Sequence, residues 1–202
     1  MTTPPVVVGT EAGPGLSKKV IVLGVGGGIA AYKAATLCSR LAQAGCEVRV
    51  AMTESATSFV GPATFSALSA RPVATGRVDP LRWPLGPHIE LSSGADLFVV
   101  APATANLLSK FAVGLADDLI STLYLQIGCP TLLAPAMSNA MWGKPAVQRN
   151  VQQLREDGCR FVGPASGWLS CRQSGEGRMS EPDEIVAAIL ACLASGPSAN
   201  VR

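Results

Sequence analysis

The chain has 202 residues, of which 48% are hydrophobic and 15% are charged, and its formal net charge is +2. This length and apolar content predict one globular domain with a sizeable core, and they exclude an intrinsically disordered protein. The near balance of 16 basic and 14 acidic residues gives no electrostatic reason to expect a nucleic-acid or membrane-surface partner. No apolar run approaches the roughly 18 residues that a membrane span requires.

Six cysteines are scattered along the chain without a C-x-x-C pair, and the one histidine has no ligand-like spacing to them. This pattern predicts free thiols of a reducing compartment, the cytoplasm, and no metal site. Residues 1–17 are rich in Pro, Thr and Gly and lack the basic flank and apolar block of a signal peptide. We expect a disordered leader over residues 1–17, a single domain over residues 18–196 and a tail over residues 197–202.

Short β-branched runs alternate with helical patterns along the rest of the chain. The predicted strands are residues 20–23, 47–52, 96–101, 131–134 and 159–162, and the predicted helices are residues 29–44, 63–69, 103–112, 117–126, 145–157 and 181–193. Ser180 is expected to cap the last helix, and residues 163–179 are expected to form a polar loop typical of a lid. The alternation predicts an α/β fold, a three-layer doubly wound parallel sheet of the Rossmann-like type, with its ligand beyond the carboxyl ends of the strands.

The first candidate site is the glycine-rich turn between the first strand and the first helix. Gly26, Gly27 and Gly28 allow the main chain to approach a phosphate at the N-terminus of a helix. The spacing fits neither a P-loop nor a complete G-x-G-x-x-G, so a mononucleotide is favoured over NAD, and a turn without a ligand is the alternative. Thr53 and Ser55 follow the second strand, where their hydroxyls could reach the same phosphate or cap a helix.

Three later segments also carry candidate side chains. His88 is a natural general base near neutral pH or, equally, a structural histidine. Thr104 and Asn106 present a hydroxyl and an amide directly after a predicted strand. Ser138 and Met141 lie in a segment with two Met and one Trp, which suits a flat aromatic ligand or ordinary core packing.

Taken in this order, the segments resemble the flavin-dependent cysteine decarboxylase family. The matching stretches read I-A-A-Y-K at 29–33, H-I-E-L at 88–91, A-P-A-T-A-N at 101–106, A-D-D-L at 116–119, P-A-M-S-N-A-M-W at 135–142 and C-R-Q-S-G-E-G-R-M at 171–179. The resemblance covers about residues 18–190. It implies an FMN-binding α/β flavoprotein that oxidatively decarboxylates a cysteine-type carboxylate. It also implies a homo-oligomer, a trimer or a multiple of trimers, with sites between its subunits.

The resemblance also implies a role for each matched residue. The FMN phosphate would lie on Gly26, Gly27 and Gly28 with Thr53 and Ser55, and the flavin ring near Ala101, Thr104 and Asn106. His88 would be the base, and Cys171 the acid of a final reduction. Ser138, Met141 and Arg172 would contact the substrate.

Two departures from the family pattern bear on the substrate. Ser138 replaces an Asn, and Arg172 with Gln173 replaces Gly followed by Asp or Asn. Peptide decarboxylases of the family typically lack the lid cysteine and stop at an enethiol, so Cys171 favours 4′-phosphopantothenoylcysteine, a precursor of coenzyme A, as the substrate. The alternatives are a peptidyl-cysteine decarboxylase and a non-catalytic FMN-binding regulatory homologue.

Overall fold

The computed structural model describes residues 16–76 and 79–195. The predicted leader, apart from its last two residues, and the predicted tail at 197–202 lie outside the described residues. Both therefore stay predictions.

Six strands form one parallel sheet in the order β3-β2-β1-β4-β5-β6. They are β1 Val20–Val25, β2 Glu47–Met52, β3 Val73–Thr75, β4 Leu97–Ala103, β5 Thr131–Pro135 and β6 Arg160–Phe161. The strand order reverses between β1 and β4, and this switch point is where open α/β sheets bind their ligands. The predicted α/β class and doubly wound parallel sheet are confirmed.

Helices cover both faces of the sheet. They are α1 Ala31–Gln43, α2 Pro62–Ser69, α3 Pro87–Ser92, α4 Ala105–Val113, α5 Leu119–Gln126, α6 Asn139–Trp142, α7 Pro145–Glu156 and α8 Pro182–Ala194, with a 3-10 turn at Ser55–Ser58. The α1 and α8 helices belong to one buried cluster, and α4, α5 and α7 belong to a second cluster on the opposite face. The molecule thus has the three predicted layers. No helix among the described residues has the length and apolar content to cross a membrane.

The central strand β4 shows why the strands read as continuous apolar runs. All of its residues are buried. Leu97 and Val99 pack in the cluster of α1 and α8, whereas Phe98 and Val100 pack in the opposite cluster. A strand buried on both faces needs apolar side chains at every position, so no polar alternation is visible in the sequence.

The last helix begins one residue later than predicted. Its N-cap is Glu181, and the backbone N–H of Glu181 donates to Oε2 of Glu184 at 2.8 Å, which completes a reciprocal capping box. Ser180 is buried and does not cap the helix. The prediction of Ser180 as the cap is wrong because a Glu pair three residues apart can satisfy the same orphan N–H groups.

Residues 163–179 are not an irregular loop. They contain an antiparallel hairpin of β7 Ala165–Trp168 and β8 Ser174–Arg178. The hairpin lies on the segment before α6, where the N–H of Met137 donates to the carbonyl of Gly177 at 2.9 Å. A Cβ on Gly177 would overlap the Met137 carbonyl, and a Cβ on Gly175 would lie 2.7 Å from Cγ of Asn139. The glycines that make the segment look like a loop therefore allow two pieces of main chain to pack directly together.

Candidate active site

A cavity of about 770 Å³ lies beyond the carboxyl ends of the central strands, below the hairpin. Its walls come from within residues 27–33, 53–55, 102–110, 136–141, 168–170 and 177–179, together with Asp118. Its volume is in the range of about 300–1,000 Å³ that is usual for small-molecule and cofactor sites. The position is the one predicted from the strand–helix alternation.

The glycine-rich turn is wedged between two neighbouring segments. The N–H of Gly26 donates to the carbonyl of Pro102 at 3.2 Å. A Cβ on Gly26 would overlap that carbonyl, and a Cβ on Gly27 would overlap the hydroxyl of Ser55. A Cβ on Gly28 would meet no atom within 4 Å. The first two glycines are thus required by packing, whereas Gly28 is open.

The turn presents a row of free backbone donors. Within the part of the chain that the structure describes, the N–H groups of residues 27–30 have no hydrogen-bond acceptor, and Ala30, the N-cap of α1, supplies no side-chain cap. Donors of this kind at a helix N-terminus, next to a cavity, form a binding site for a phosphate or another anion. The hydroxyls of Thr53 and Ser55 lie 3.1 Å apart on the same wall.

Polar side chains on the opposite walls also begin helices. Thr104 accepts a hydrogen bond from the N–H of Leu107 at 3.3 Å and caps α4, which places Asn106 at the cavity. Ser138 accepts from the N–H of Met141 at 3.3 Å and caps α6. The serine that replaces the family's Asn therefore has a local structural partner, and its neighbour Asn139 packs against the hairpin.

The cavity is lined by eight of the predicted site residues: Gly27, Gly28, Thr53, Ser55, Thr104, Asn106, Ser138 and Met141. Gly26 and Ala101 do not line it; they are buried in the main chain that supports its floor.

The predicted base and acid are not brought into the cavity of this single chain. His88 is half-buried on α3, a helix that packs against α5, and it is not part of the cavity wall. Cys171 and Arg172 are exposed at the tip of the hairpin, although the adjacent Ser170 does line the cavity.

Sequence reasoning missed the cations of the cavity wall. Lys33 is only 5% exposed, and its ammonium donates to the carbonyl of Met179 and to Oε1 of Glu181, both at 2.9 Å. The hydrogen bond from Lys33 is the main reason that the pKa of Glu181 lies below its usual value. The signal in the sequence was a lysine four residues before Leu37, on the apolar stripe of α1.

Lys110 lies on another wall of the cavity with two carboxylate partners. Its ammonium is 2.5 Å from Asp117 and 2.6 Å from Asp118. Burial by itself lowers the pKa of Lys110, but the hydrogen bonds to the two aspartates outweigh this effect and leave the pKa raised. Lys110 is therefore a charged and fully paired cation.

Most of the cysteines have a structural character. Cys38, Cys159 and Cys192 are buried, and burial raises the pKa of the Cys38 thiol to about 11. Cys171 is exposed. Among the residues that the structure describes, no three His, Cys, Asp or Glu side chains come together as a metal site requires.

A family model described as Flavoprotein matches residues 11–194. The chain belongs to the Flavoprotein family. This membership agrees with the turn of free N–H groups and with the position of the cavity at the switch point of the sheet.

Two curated relatives are bacterial. The chain is 46% identical over 171 residues to the coenzyme A biosynthesis bifunctional protein CoaBC of Bacillus subtilis (strain 168), covering 85% of this chain and 42% of the relative. It is 50% identical over 167 residues to the CoaBC protein of Mycobacterium tuberculosis (strain ATCC 25618 / H37Rv), covering 83% of this chain and 40% of the relative. The chain thus spans less than half the length of these relatives.

Two solved structures share the fold with the same TM-score. The FMN-dependent cysteine decarboxylase SpaF superposes with a TM-score of 0.75 at 34% identity, covering 89% of this chain and 98% of SpaF. A variant of PPC decarboxylase complexed with pantothenoylaminoethenethiol superposes with a TM-score of 0.75 at 31% identity, covering 85% of this chain and 96% of that chain. The resemblance seen in the sequence motifs is confirmed.

Proposed function

We propose that the chain is an FMN-dependent decarboxylase that converts 4′-phosphopantothenoylcysteine to 4′-phosphopantetheine in coenzyme A biosynthesis. The observation that carries the proposal is the cavity, which joins an anion-binding turn to a hairpin with a cysteine at its tip. The two CoaBC relatives support the assignment to coenzyme A biosynthesis.

The residues present fit FMN. The free N–H groups of residues 27–30 would hold its phosphate, with help from Thr53 and Ser55, and the wall formed by Thr104 and Asn106 would border its ring. When bound, FMN supplies the electron acceptor for oxidation of the substrate thiol and the electron donor for the final reduction. The protein binds and orients the cofactor and the substrate, and it supplies protons to the substrate.

The need for a redox cofactor follows from the substrate. A cysteine carboxylate does not readily lose CO₂, because the resulting carbanion has no acceptor for its electron pair. Once the thiol has become a thioaldehyde, the C=S group accepts that pair and the product of decarboxylation is an enethiol. His88 acts as the base that removes a proton from the substrate, and Cys171 protonates the enethiol carbon during its reduction to the saturated thiol.

The position of His88 supports a homo-oligomer, which we assign as a trimer. His88 is not part of the cavity wall of its own chain. The neighbouring side chains Leu81, Leu85 and Ile89 are apolar and exposed. A second copy packed on this surface would cover them and supply His88 to the cavity of the first copy. The six free cysteines support a cytoplasmic location.

The deciding experiment is anaerobic incubation of the FMN-loaded protein with 4′-phosphopantothenoylcysteine, followed by mass spectrometry of the product and by flavin absorbance. We expect loss of CO₂ and formation of 4′-phosphopantetheine. A peptide that ends in cysteine serves as the competing substrate. Turnover of the peptide alone would replace our assignment with a peptidyl-cysteine decarboxylase, and turnover of neither would indicate a non-catalytic flavoprotein.

A further inference from the structure

The charges that line the cavity are unevenly distributed. On one side, Lys33 and Arg178 share the single carboxylate of Glu181, which leaves one positive charge in excess. The other acidic side chains at the start of α8 are engaged elsewhere, because Asp183 pairs with Arg40 and Glu184 caps the helix. Glu54 also lines the cavity, beside Thr53 and Ser55, but it forms no ion pair with Lys33 or Arg178. The positive excess around Glu181 therefore favours an anion at this side of the cavity.

On the other side, the single cation is neutralised. Lys110 faces Asp117 and Asp118 together, so that cluster carries a negative charge in excess. An anionic group of a ligand is therefore directed away from α4 and α5 and toward the base of the hairpin.

Two cations, Lys33 and Arg178, lie on the side of the cavity with excess positive charge, and Arg178 is the one that keeps free hydrogen-bond donors. Both acceptors of the Lys33 ammonium are protein atoms, and Lys33 is nearly inaccessible. The side chain of Arg178 is 42% exposed, and only its Nη2 makes a hydrogen bond among the described residues, to Glu181 at 2.5 Å. Nη1 and Nε donate to no described residue, so the guanidinium keeps hydrogen-bond donors on two nitrogens for the oxygens of a phosphate.

We propose that Arg178 binds the terminal phosphate of the substrate; the proposal rests on the function proposed above. The cysteine end of the substrate must reach the wall where the flavin ring is assigned, so the phosphate, at the far end of a long flexible chain, lies toward the opening. A half-exposed arginine at the base of the hairpin is placed for that end. Arg178 is thus a specificity-determining residue that distinguishes phosphorylated from unphosphorylated substrate.

The test compares two substrates and two ligands. For the FMN-loaded protein, kcat/KM is measured with 4′-phosphopantothenoylcysteine and with pantothenoylcysteine. The affinities for 4′-phosphopantetheine and pantetheine are measured by calorimetry, which requires no turnover. The variants are Arg178→Gln, Arg178→Lys and, as a control with the same change of charge, Arg149→Gln on the exposed side of α7.

We expect Arg178→Gln to lose about 10- to 100-fold in kcat/KM and in affinity for the phosphorylated compounds only. Arg178→Lys should recover part of that loss, and Arg149→Gln should match the original protein. Equal losses for the phosphorylated and unphosphorylated compounds would mean that Arg178 supports the hairpin structure or contacts the carboxylate end of the substrate. Weaker FMN binding would mean that it contacts the cofactor. Either result, or no change, overturns the proposal.

The calorimetry separates this proposal from the proposed function. A protein that decarboxylates neither substrate, yet loses 4′-phosphopantetheine and not pantetheine on Arg178→Gln, would contradict the decarboxylase assignment and support the phosphate site. A protein that decarboxylates both substrates equally well would support the decarboxylase assignment and contradict the phosphate site.

Discussion

Gly27 and Gly28 are neighbours in sequence, but only Gly28 has space for a larger side chain. A Cβ on Gly27 would overlap the Ser55 hydroxyl, whereas a Cβ on Gly28 would meet nothing within 4 Å. We expect Gly27→Ala to lower the free energy of unfolding of the FMN-free protein by about 1–3 kcal/mol through overpacking. Gly28→Ala, its matched control, should change it by less than about 0.5 kcal/mol. Urea unfolding checks both, and equal effects would contradict the wedged turn.

His88 is the residue on which the decarboxylation is assigned to depend. Because it is not part of the cavity wall of its own chain, we expect His88→Asn to bind FMN with unchanged affinity and yet to release no CO₂. Flavin fluorescence measures the first quantity and trapped CO₂ the second. Normal turnover by this variant would remove His88 from the mechanism.

At the scale of elements, the hairpin carries the cysteine that is assigned to the second half of the proposed reaction, the reduction of the enethiol. Cys171 is exposed at its tip, one residue from the cavity wall. We expect Cys171→Ser to release CO₂ and to accumulate the enethiol, because serine is a much weaker acid than cysteine and cannot supply the last proton. Mass spectrometry distinguishes the enethiol from the saturated thiol by two hydrogens. Saturated product at the normal rate would show that another group is the acid.

The elements that the sequence predicts well are those with one strong local signal. β1, β4 and β5 are largely apolar runs, β2 alternates charged and apolar residues before it becomes apolar, and the long helices have clear amphipathic stripes. The hairpin β7–β8 was missed because its glycines satisfy a contact with main chain about 40 residues earlier, which no local pattern reports. The edge strand β3 was missed because it has only three residues and follows a proline.

The candidate site was predicted where its residues act through the main chain or through caps, as at Gly27 and Thr104. Lys33 and Arg178 were missed as site residues because their importance arises from Glu181, a partner distant from Lys33 in sequence. His88 does not line the cavity of its own chain, and its predicted role as the base stays a proposal.

At the scale of the whole molecule, a partly exposed ion pair between Lys19 and Asp96 predicts sensitivity to acid. Burial by itself raises the pKa of Asp96, but hydrogen bonds from the Lys19 ammonium and the Val20 N–H outweigh it, so the pKa is lowered. A carboxylate with a lowered pKa stabilises the fold above its ordinary pKa of about 3.9, and this stabilisation is lost as the pH falls through the folded-state value.

We therefore expect the urea midpoint to fall as the pH drops from about 5 to 3. Asp96→Asn should be less stable at pH 7 and show a shallower pH dependence, because one of the responsible groups is gone. Glu176→Gln, which removes an exposed carboxylate of the hairpin, should keep the original slope. A slope unchanged by Asp96→Asn would contradict the role of this pair.

Assembly can be tested by combining two defective chains. If a neighbour supplies His88, a cavity from a His88→Asn chain, which keeps Cys171, becomes complete beside a Cys171→Ser chain. Co-expression of the two variants should therefore form saturated product, although neither variant forms it alone. Mixed oligomers that form only the sum of the separate products would show that His88 serves its own chain.

The cavity walls are drawn from residues 27 to 179, so they come together only when almost the whole described chain is folded. Any molecule that fills the cavity therefore binds the native state alone and shifts the folding equilibrium by mass action. At a free concentration 100 times its Kd, such a ligand adds about 2.7 kcal/mol to the free energy of unfolding. If that ligand is FMN, the FMN-free chain is the less stable form, and we expect a cell to degrade it faster than the FMN-loaded chain.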